Sequence, residues 1–298
     1  MFDGKSPTCA SLLIPGAVPC LGDALHMAVG CADGGVRILC VASGRVVQHL
    51  SGCHKGAVQC LLTLAGLDGG PVLVSGGAEG AVAVWAAQGM GGKETPAPTA
   101  AFKAHTDGVG HLTLASGPNG ARPVLPPRGA GGLVKPPVTM LSLPRDLDWT
   151  RTGADLPMLV TVGGTEAATW AFGTWAETLR LQPSIRPVAC TSAAFCPTPC
   201  LGRAQVLLCA KGATLWAADL LSSGVGAGAT HAVLDMTAML EAPKPVKLYC
   251  MGVHPLQPAL IAVGTNAGLV VLNLGVCPGR ADITKRRLQR RASVLYFR

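Results

Sequence analysis

Charge is scarce in this 298-residue chain: Asp, Glu, Lys and Arg make up 13% of it, about half the usual share. Its 16 acidic residues include no pair at a spacing that suits general acid–base work. No G-x-S-x-G elbow is present. Gly224–Ala229 (GVGAGA) has glycines spaced like a phosphate loop, but no βαβ pattern surrounds it and no Lys-Ser/Thr follows. Gly91–Glu94 (GGKE) is not a phosphate loop either. The chain has no CxxC, and the pairs Cys196/Cys200 and Cys53-His54 near Cys60 stand alone, short of the four ligands of a structural zinc site. An enzyme is therefore not expected, and no catalytic, cofactor-binding or metal residue is assigned. The start, MFDGKSPTCASLLIPG, lacks the basic opening and long apolar core of a signal peptide. The longest apolar stretch, Leu260–Val276, is interrupted by Thr265, Asn266 and Asn273. It falls short of ~20 apolar residues, so no transmembrane segment is expected.

What the chain has in quantity is turns and apolar runs: 39 Gly, 23 Pro and 49% hydrophobic residues. That excess fits many strands separated by turns better than helices. One phrase recurs: GCADGGVRIL (Gly30–Leu39), GGAEGAVAVW (Gly76–Trp85), GGTEAATWAF (Gly163–Phe172), CAKGATLWAA (Cys209–Ala218) and GTNAGLVVLN (Gly264–Asn273). Each copy follows an apolar run, so each reads as two strands joined by a tight turn. Four short strands every ~40–45 residues is the pattern of a WD-repeat propeller. The expected fold is therefore all-β, a WD40-type β-propeller with about five four-stranded blades visible, part of a larger, seven-bladed ring. An unclosed ring leaves sheet edges exposed, so the chain reads as a fragment or truncated product.

Blade one is expected over Thr8–Leu50, blade two over Ala57–Lys103 and blade three over Val109–Leu181. Blade four follows over Val188–Met236, and blade five starts at Val246 with a last strand near Ser293–Phe297. The step from Gly30 to Gly76 equals that from Gly163 to Cys209, whereas Gly76 to Gly163 is nearly double. The excess is a Pro/Gly-rich insertion, residues 117–157, between the first two strands of blade three. Leu220–Thr230 reads as a second loop. The propeller thus covers residues 1–276, and a basic tail covers 277–298. Of the twelve cysteines, Cys31, Cys40, Cys60, Cys190, Cys209 and Cys250 sit inside apolar runs. They are expected to be free, buried and reduced, in a cytoplasmic protein.

His54 and His105 each precede the first strand of a blade, where a WD repeat uses a histidine to hydrogen-bond within its own blade. Trp85, Trp170 and Trp216 end third strands and are expected to pack between blades. The WD dipeptide itself is absent, since Ala follows each of the three. The tail carries seven basic residues and one acidic residue between Arg280 and Arg298, most of the net charge of +8. Lys285, Arg286, Arg287, Arg290 and Arg291 are candidate contacts for anionic phospholipid, each worth ~1 kcal/mol near a membrane, or for a partner. The same charge suits RNA, with steep salt dependence, but nucleic acid is the less favoured partner. Arg290-Arg291-Ala292-Ser293 matches a basophilic kinase site, which makes Ser293 a candidate phosphosite whose modification lowers the local positive charge.

The order of these phrases is more specific than a generic repeat. KSPTC (Lys5–Cys9), GCADGGVRIL, GCHKGAVQCLLTL (Gly52–Leu64), LVSGGAEGAVAVW (Leu73–Trp85), FKAHTDGV (Phe102–Val109) and above all VKLYCMGVHPLQPALIAVGTNAGLVV (Val246–Val271) carry a resemblance. Together they resemble the propeller region of the long transducin/WD-repeat subunits of the plant TPLATE complex, a TSET-type endocytic adaptor. The resemblance implies scaffold duty in clathrin-mediated endocytosis, peripheral at the plasma membrane of a plant or green alga, with other adaptor or coat subunits as partners. The alternative is a WD-repeat scaffold of another cytosolic complex, such as a ubiquitin-ligase substrate receptor.

Overall fold

The computed structural model describes residues 6–13, 24–65, 71–86, 90, 96–115, 158–181, 190–196, 205–210, 213–219, 230–240, 244–253, 260–273 and 293–297. Five four-stranded antiparallel sheets, each formed by consecutive strands, are arranged as the blades of a β-propeller. Blade one holds β1 (Pro7–Leu12), β2 (His26–Cys31), β3 (Val36–Cys40) and β4 (Val46–Leu50). Blade two holds β5 (Val58–Ala65), β6 (Pro71–Gly77), β7 (Ala81–Ala86) and β8 (Ala100–Lys103). Blade three holds β9 (Val109–Ala115), β10 (Met158–Gly163), β11 (Glu166–Ala171) and β12 (Glu177–Leu181). Blade four holds β13 (Cys190–Cys196), β14 (Gln205–Ala210), β15 (Thr214–Asp219) and β16 (Thr230–Asp235). Blade five holds β17 (Leu248–Val253), β18 (Leu260–Thr265), β19 (Gly268–Asn273) and β20 (Ser293–Phe297). The insertion at 117–157 and most of the Leu220–Thr230 loop lie outside the described residues, although Thr230 already opens β16.

The blades stack because their middle strands are apolar on both faces. Leu73 and Val74 are neighbours on β6 and point to opposite sides. Leu73 joins Ile38, Leu50 and Trp85 between blades one and two. Val74 joins Val109, Leu159 and Trp170 between blades two and three. Each such fully buried aliphatic side chain contributes about 1.5–3 kcal/mol, so near-continuous apolar runs are what this architecture requires. Trp216 is half-buried and packs with Val160, Val162 and Ala193 between blades three and four. All three tryptophans therefore face the preceding blade.

The first strands form the inner ring: β1 packs on β5, β5 on β9, β9 on β13 and β13 on β17. Side chains on these strands reach across to the next blade's backbone. Thr8 Oγ1 donates to the Val58 carbonyl, Cys60 Sγ to Val109 O at 3.1 Å and Thr191 Oγ1 to Leu248 O at 3.3 Å. His111, also on a first strand, bonds to the backbone of Ala193. In blade four Thr191 makes the link, and the buried Ser192 Oγ has no hydrogen-bond partner.

Glycine makes room for this approach. A Cβ on Gly30 would lie 2.7 Å from Val58 Cγ1, and one on Gly76 would lie 2.7 Å from Val109 Cγ1. Each glycine is a recess that seats the first valine of the following blade. Two expectations need correction. Strand cysteines are not uniformly buried: Cys40 and Cys190 are half-buried and Cys250 is exposed. The end of blade four is not a plain strand, because Asp235 caps a one-turn helix, α1 (Met236–Met239), accepting from the backbone N–H groups of Thr237 and Ala238.

Candidate functional site

The loops that enter each first strand and the turns between second and third strands meet at one end of the blades. In blade two, His54 comes from the loop before β5, Ser75 from β6, Glu79 from the β6–β7 turn and Trp85 from β7. His54 Nδ1 lies 2.7 Å from Glu79 Oε1 and Nε2 lies 2.8 Å from Ser75 Oγ. Trp85 Nε1–H donates to the same Ser75 Oγ at 3.2 Å. Blade three repeats the arrangement. His105 Nδ1 lies 3.2 Å from Glu166 Oε1, His105 Nε2 lies 2.8 Å from Thr161 Oγ1, and Trp170 Nε1–H donates to Thr161 Oγ1 at 2.9 Å.

These chains have a direction. An ionised carboxylate only accepts, so Nδ1 carries the proton and donates to Glu, and Nε2 accepts from the hydroxyl. Burial opposes ionisation of Glu79, but the His54 hydrogen bond and the backbone N–H groups outweigh it and hold the carboxyl below its ordinary value. Burial pushes His105 below the ordinary histidine value despite the adjacent Glu166, so its ring is neutral near pH 7. Both nitrogens of each imidazole are engaged, which leaves neither ring free as a general base or a metal ligand. Among the described residues, no group of three or more His, Cys, Asp or Glu is placed to hold a metal ion.

The sign of the pH effect follows from these shifts. An unfolded histidine protonates near ~6.5, whereas buried His105 and His111 resist protonation. Below that pH the unfolded chain binds more protons than the folded one, so stability falls with pH. Scanning calorimetry is expected to show Tm dropping between about pH 7.5 and 5.5, with a smaller drop in His105→Gln. A melting temperature flat across that range contradicts this.

The blade-three network floors a pocket of about 420 Å³ lined by Lys103, His105, Asp107, Thr165, Glu166 and Arg180, among others. Arg180 pairs with Glu166, donates from Nε to Glu177 Oε1 at 2.9 Å and reaches Ala104 O at 3.2 Å. Lys103 Nζ donates to the Glu79 carbonyl, tying the last strand of blade two to its own turn. The pocket offers cations, carboxylates and backbone groups together, which suits a polar peptide segment of mixed charge. Phe102, Trp170, Phe172 and Trp175 cluster with ring centroids 4.5–6.3 Å apart, and Trp175 stands at φ 56° in the β11–β12 turn.

The structure brings His54 and Trp85 together in one network and His105 and Trp170 in another. Trp216 has no equivalent: strand register places Ala210 where Ser75 and Thr161 stand in their blades. Lys285, Arg286, Arg287, Arg290 and Arg291 lie outside the described residues, as do Cys200, Gly91–Glu94 and Gly224–Ala229. Ser293 opens β20, paired with Asn273. Sequence reasoning missed Glu79, Glu166, Ser75 and Thr161. Their signal was present as an acid in each turn phrase and a hydroxyl a few residues before it.

No protein-family model and no curated protein matches this chain. What stands is the architecture: four-stranded antiparallel blades in a β-propeller, consistent with a WD40-type fold. No helix among the described residues is long and apolar enough to cross a membrane.

Proposed function

We propose that the chain is a non-enzymatic scaffold subunit of a TPLATE/TSET-like adaptor, acting in clathrin-mediated endocytosis at the plasma membrane. Its loop end binds partner subunits, and its basic tail touches anionic phospholipid. The observation that carries the scaffold reading is the use of the histidines. Both nitrogens of His54 and of His105 are spent on bracing loops, and the loops that His105 braces frame a polar pocket. The ordered phrases, ending in HPLQP and GTN within Val246–Val271, support the narrower adaptor reading.

The lipid half is tested with the whole chain and sedimenting vesicles, neutral or containing anionic phosphoinositide. Preferential pelleting with anionic vesicles is expected, and it is lost when Lys285, Arg286, Arg287, Arg290 and Arg291 are changed to Gln. Equal pelleting with both vesicles overturns it. The partner half rests on the cross-linking measurement that closes the Discussion.

A further inference from the structure

Asp107 and Arg180 line the blade-three pocket, but the brace beneath it does not require them. Blade two builds the same brace from His54, Glu79, Ser75 and Trp85 with neutral residues at both places. Asp107 follows His105 by two residues, where blade two has Gly56 after His54. Strand register sets Arg180 opposite Ala168, where blade two has Ala101 opposite Ala83. The turns differ too: two residues separate β10 from β11, against three between β6 and β7. Gly56 lies tight against its turn, since its N–H donates to Glu79 Oε2 at 3.3 Å and a Cβ there would lie 3.3 Å from Ala78 Cβ. In blade three the Asp107 carboxylate rests on the shorter turn, where a Cβ on Gly164 would lie 2.4 Å from Oδ2.

The cations of the pocket already have partners. Arg180 pairs with Glu166 and Glu177, and Lys103 Nζ donates to the Glu79 carbonyl. Asp107 is exposed and lines the cavity. Among the described residues at the pocket, the carboxylates of Glu79, Asp107, Glu166 and Glu177 outnumber the cations of Lys103 and Arg180. Burial keeps His105 neutral near pH 7. A chain of net charge +8 therefore carries a negative cleft at its loop end. At about 420 Å³ the cleft falls within the range of ligand pockets.

We propose that this pocket receives a lysine or arginine side chain from a partner's segment, with Asp107 as its counter-ion and the Thr165 hydroxyl as a further acceptor. The proposal rests on the reading of the loop end as a partner surface and adds which side chain that surface selects. An acidic side chain is rejected, because it would face Asp107 and Glu166.

The test pans random peptides displayed on phage against the whole chain and measures the affinity of those recovered. They are expected to share a Lys or Arg whose change to Gln weakens binding at least about tenfold. Asp107→Asn is expected to weaken the unchanged peptides by a similar factor and to add little for the Gln versions. Asp107 is exposed, so the variant is expected to melt as the parent does. Asp107→Lys is expected to lose the basic peptides and to regain binding when their Lys or Arg is changed to Glu. A library that yields no peptide dependent on both its basic residue and Asp107 overturns the proposal. If the recovered peptides then still cross-link to Lys55 or Lys103, the loop end stands as a partner surface and only the pocket's selectivity falls. If they cross-link elsewhere, both fall.

Discussion

Trp85→Ala is expected to destabilise the chain by about 3–5 kcal/mol, the range for emptying a buried aromatic site. Trp85 is 1% exposed and fills the space between blades one and two with Leu50, Leu73 and Met90. Its indole N–H is also the first donor of the blade-two chain, 3.2 Å from Ser75 Oγ. Truncation therefore opens a cavity and strips a donor from a buried hydroxyl that also binds His54. Trp85→Phe keeps most of the volume and loses only the N–H, so roughly 1–2 kcal/mol is expected. Trp216→Ala is the control, because that ring is half-buried and Ala210 stands where Ser75 does in blade two, with no hydroxyl to bind the indole. Urea denaturation reads all three. Equal losses for Trp85→Ala and Trp216→Ala contradict the account of the network.

Gly80→Ala is expected to cost about 3 kcal/mol or more from two sources. Gly80 sits at φ +81° in the β6–β7 turn, and left-handed backbone costs an ordinary residue roughly 1–2 kcal/mol. In addition, a Cβ there would lie 2.1 Å from His105 O and 2.3 Å from Asp107 O. Both contacts are backbone, so the loop into blade three must move, and such overpacking costs about 1–3 kcal/mol. That loop is held to the turn by the same residue, since Gly80 O accepts from the N–H groups of Ala104 and His105 at 2.9 and 3.1 Å. The change therefore acts on the pocket as well as on stability. Gly252→Ala meets nothing within 4 Å and is expected to stay within about 0.5 kcal/mol of the parent. Similar losses at Gly80 and Gly252 contradict the steric argument.

The strands were legible because period-two alternation and turn glycines are local signals. VLVSGGAEGAVAVW (Val72–Trp85) announces a hairpin without help from distant residues. The bracing was half legible. His54 and His105 announced themselves by position, but Glu79 stands in the β6–β7 turn and Glu166 opens β11 directly after one, where an acid reads as a solvated residue. Only folding places Glu166 within 3.2 Å of a histidine sixty-one residues earlier. α1 escaped notice because a single turn held by the Asp235 side chain has no periodicity to read. Cys250 escaped for a different reason. Its LYC strand resembles the buried VQC strand of Cys60, and burial depends on whether a blade lies against it, which no local pattern encodes.

The central claim is that the loop end of the propeller is the partner surface of an adaptor complex. Cross-linking mass spectrometry on the affinity-purified, full-length locus product tests it most directly. Lys55 and Lys103 flank the braced loops of blades two and three, and Lys247 lies before β17 at the same end. The account predicts that adaptor-complex subunits co-purify and cross-link to these lysines. A stable bait that recovers no adaptor subunits, or recovers them with cross-links that avoid Lys55, Lys103 and Lys247, contradicts it.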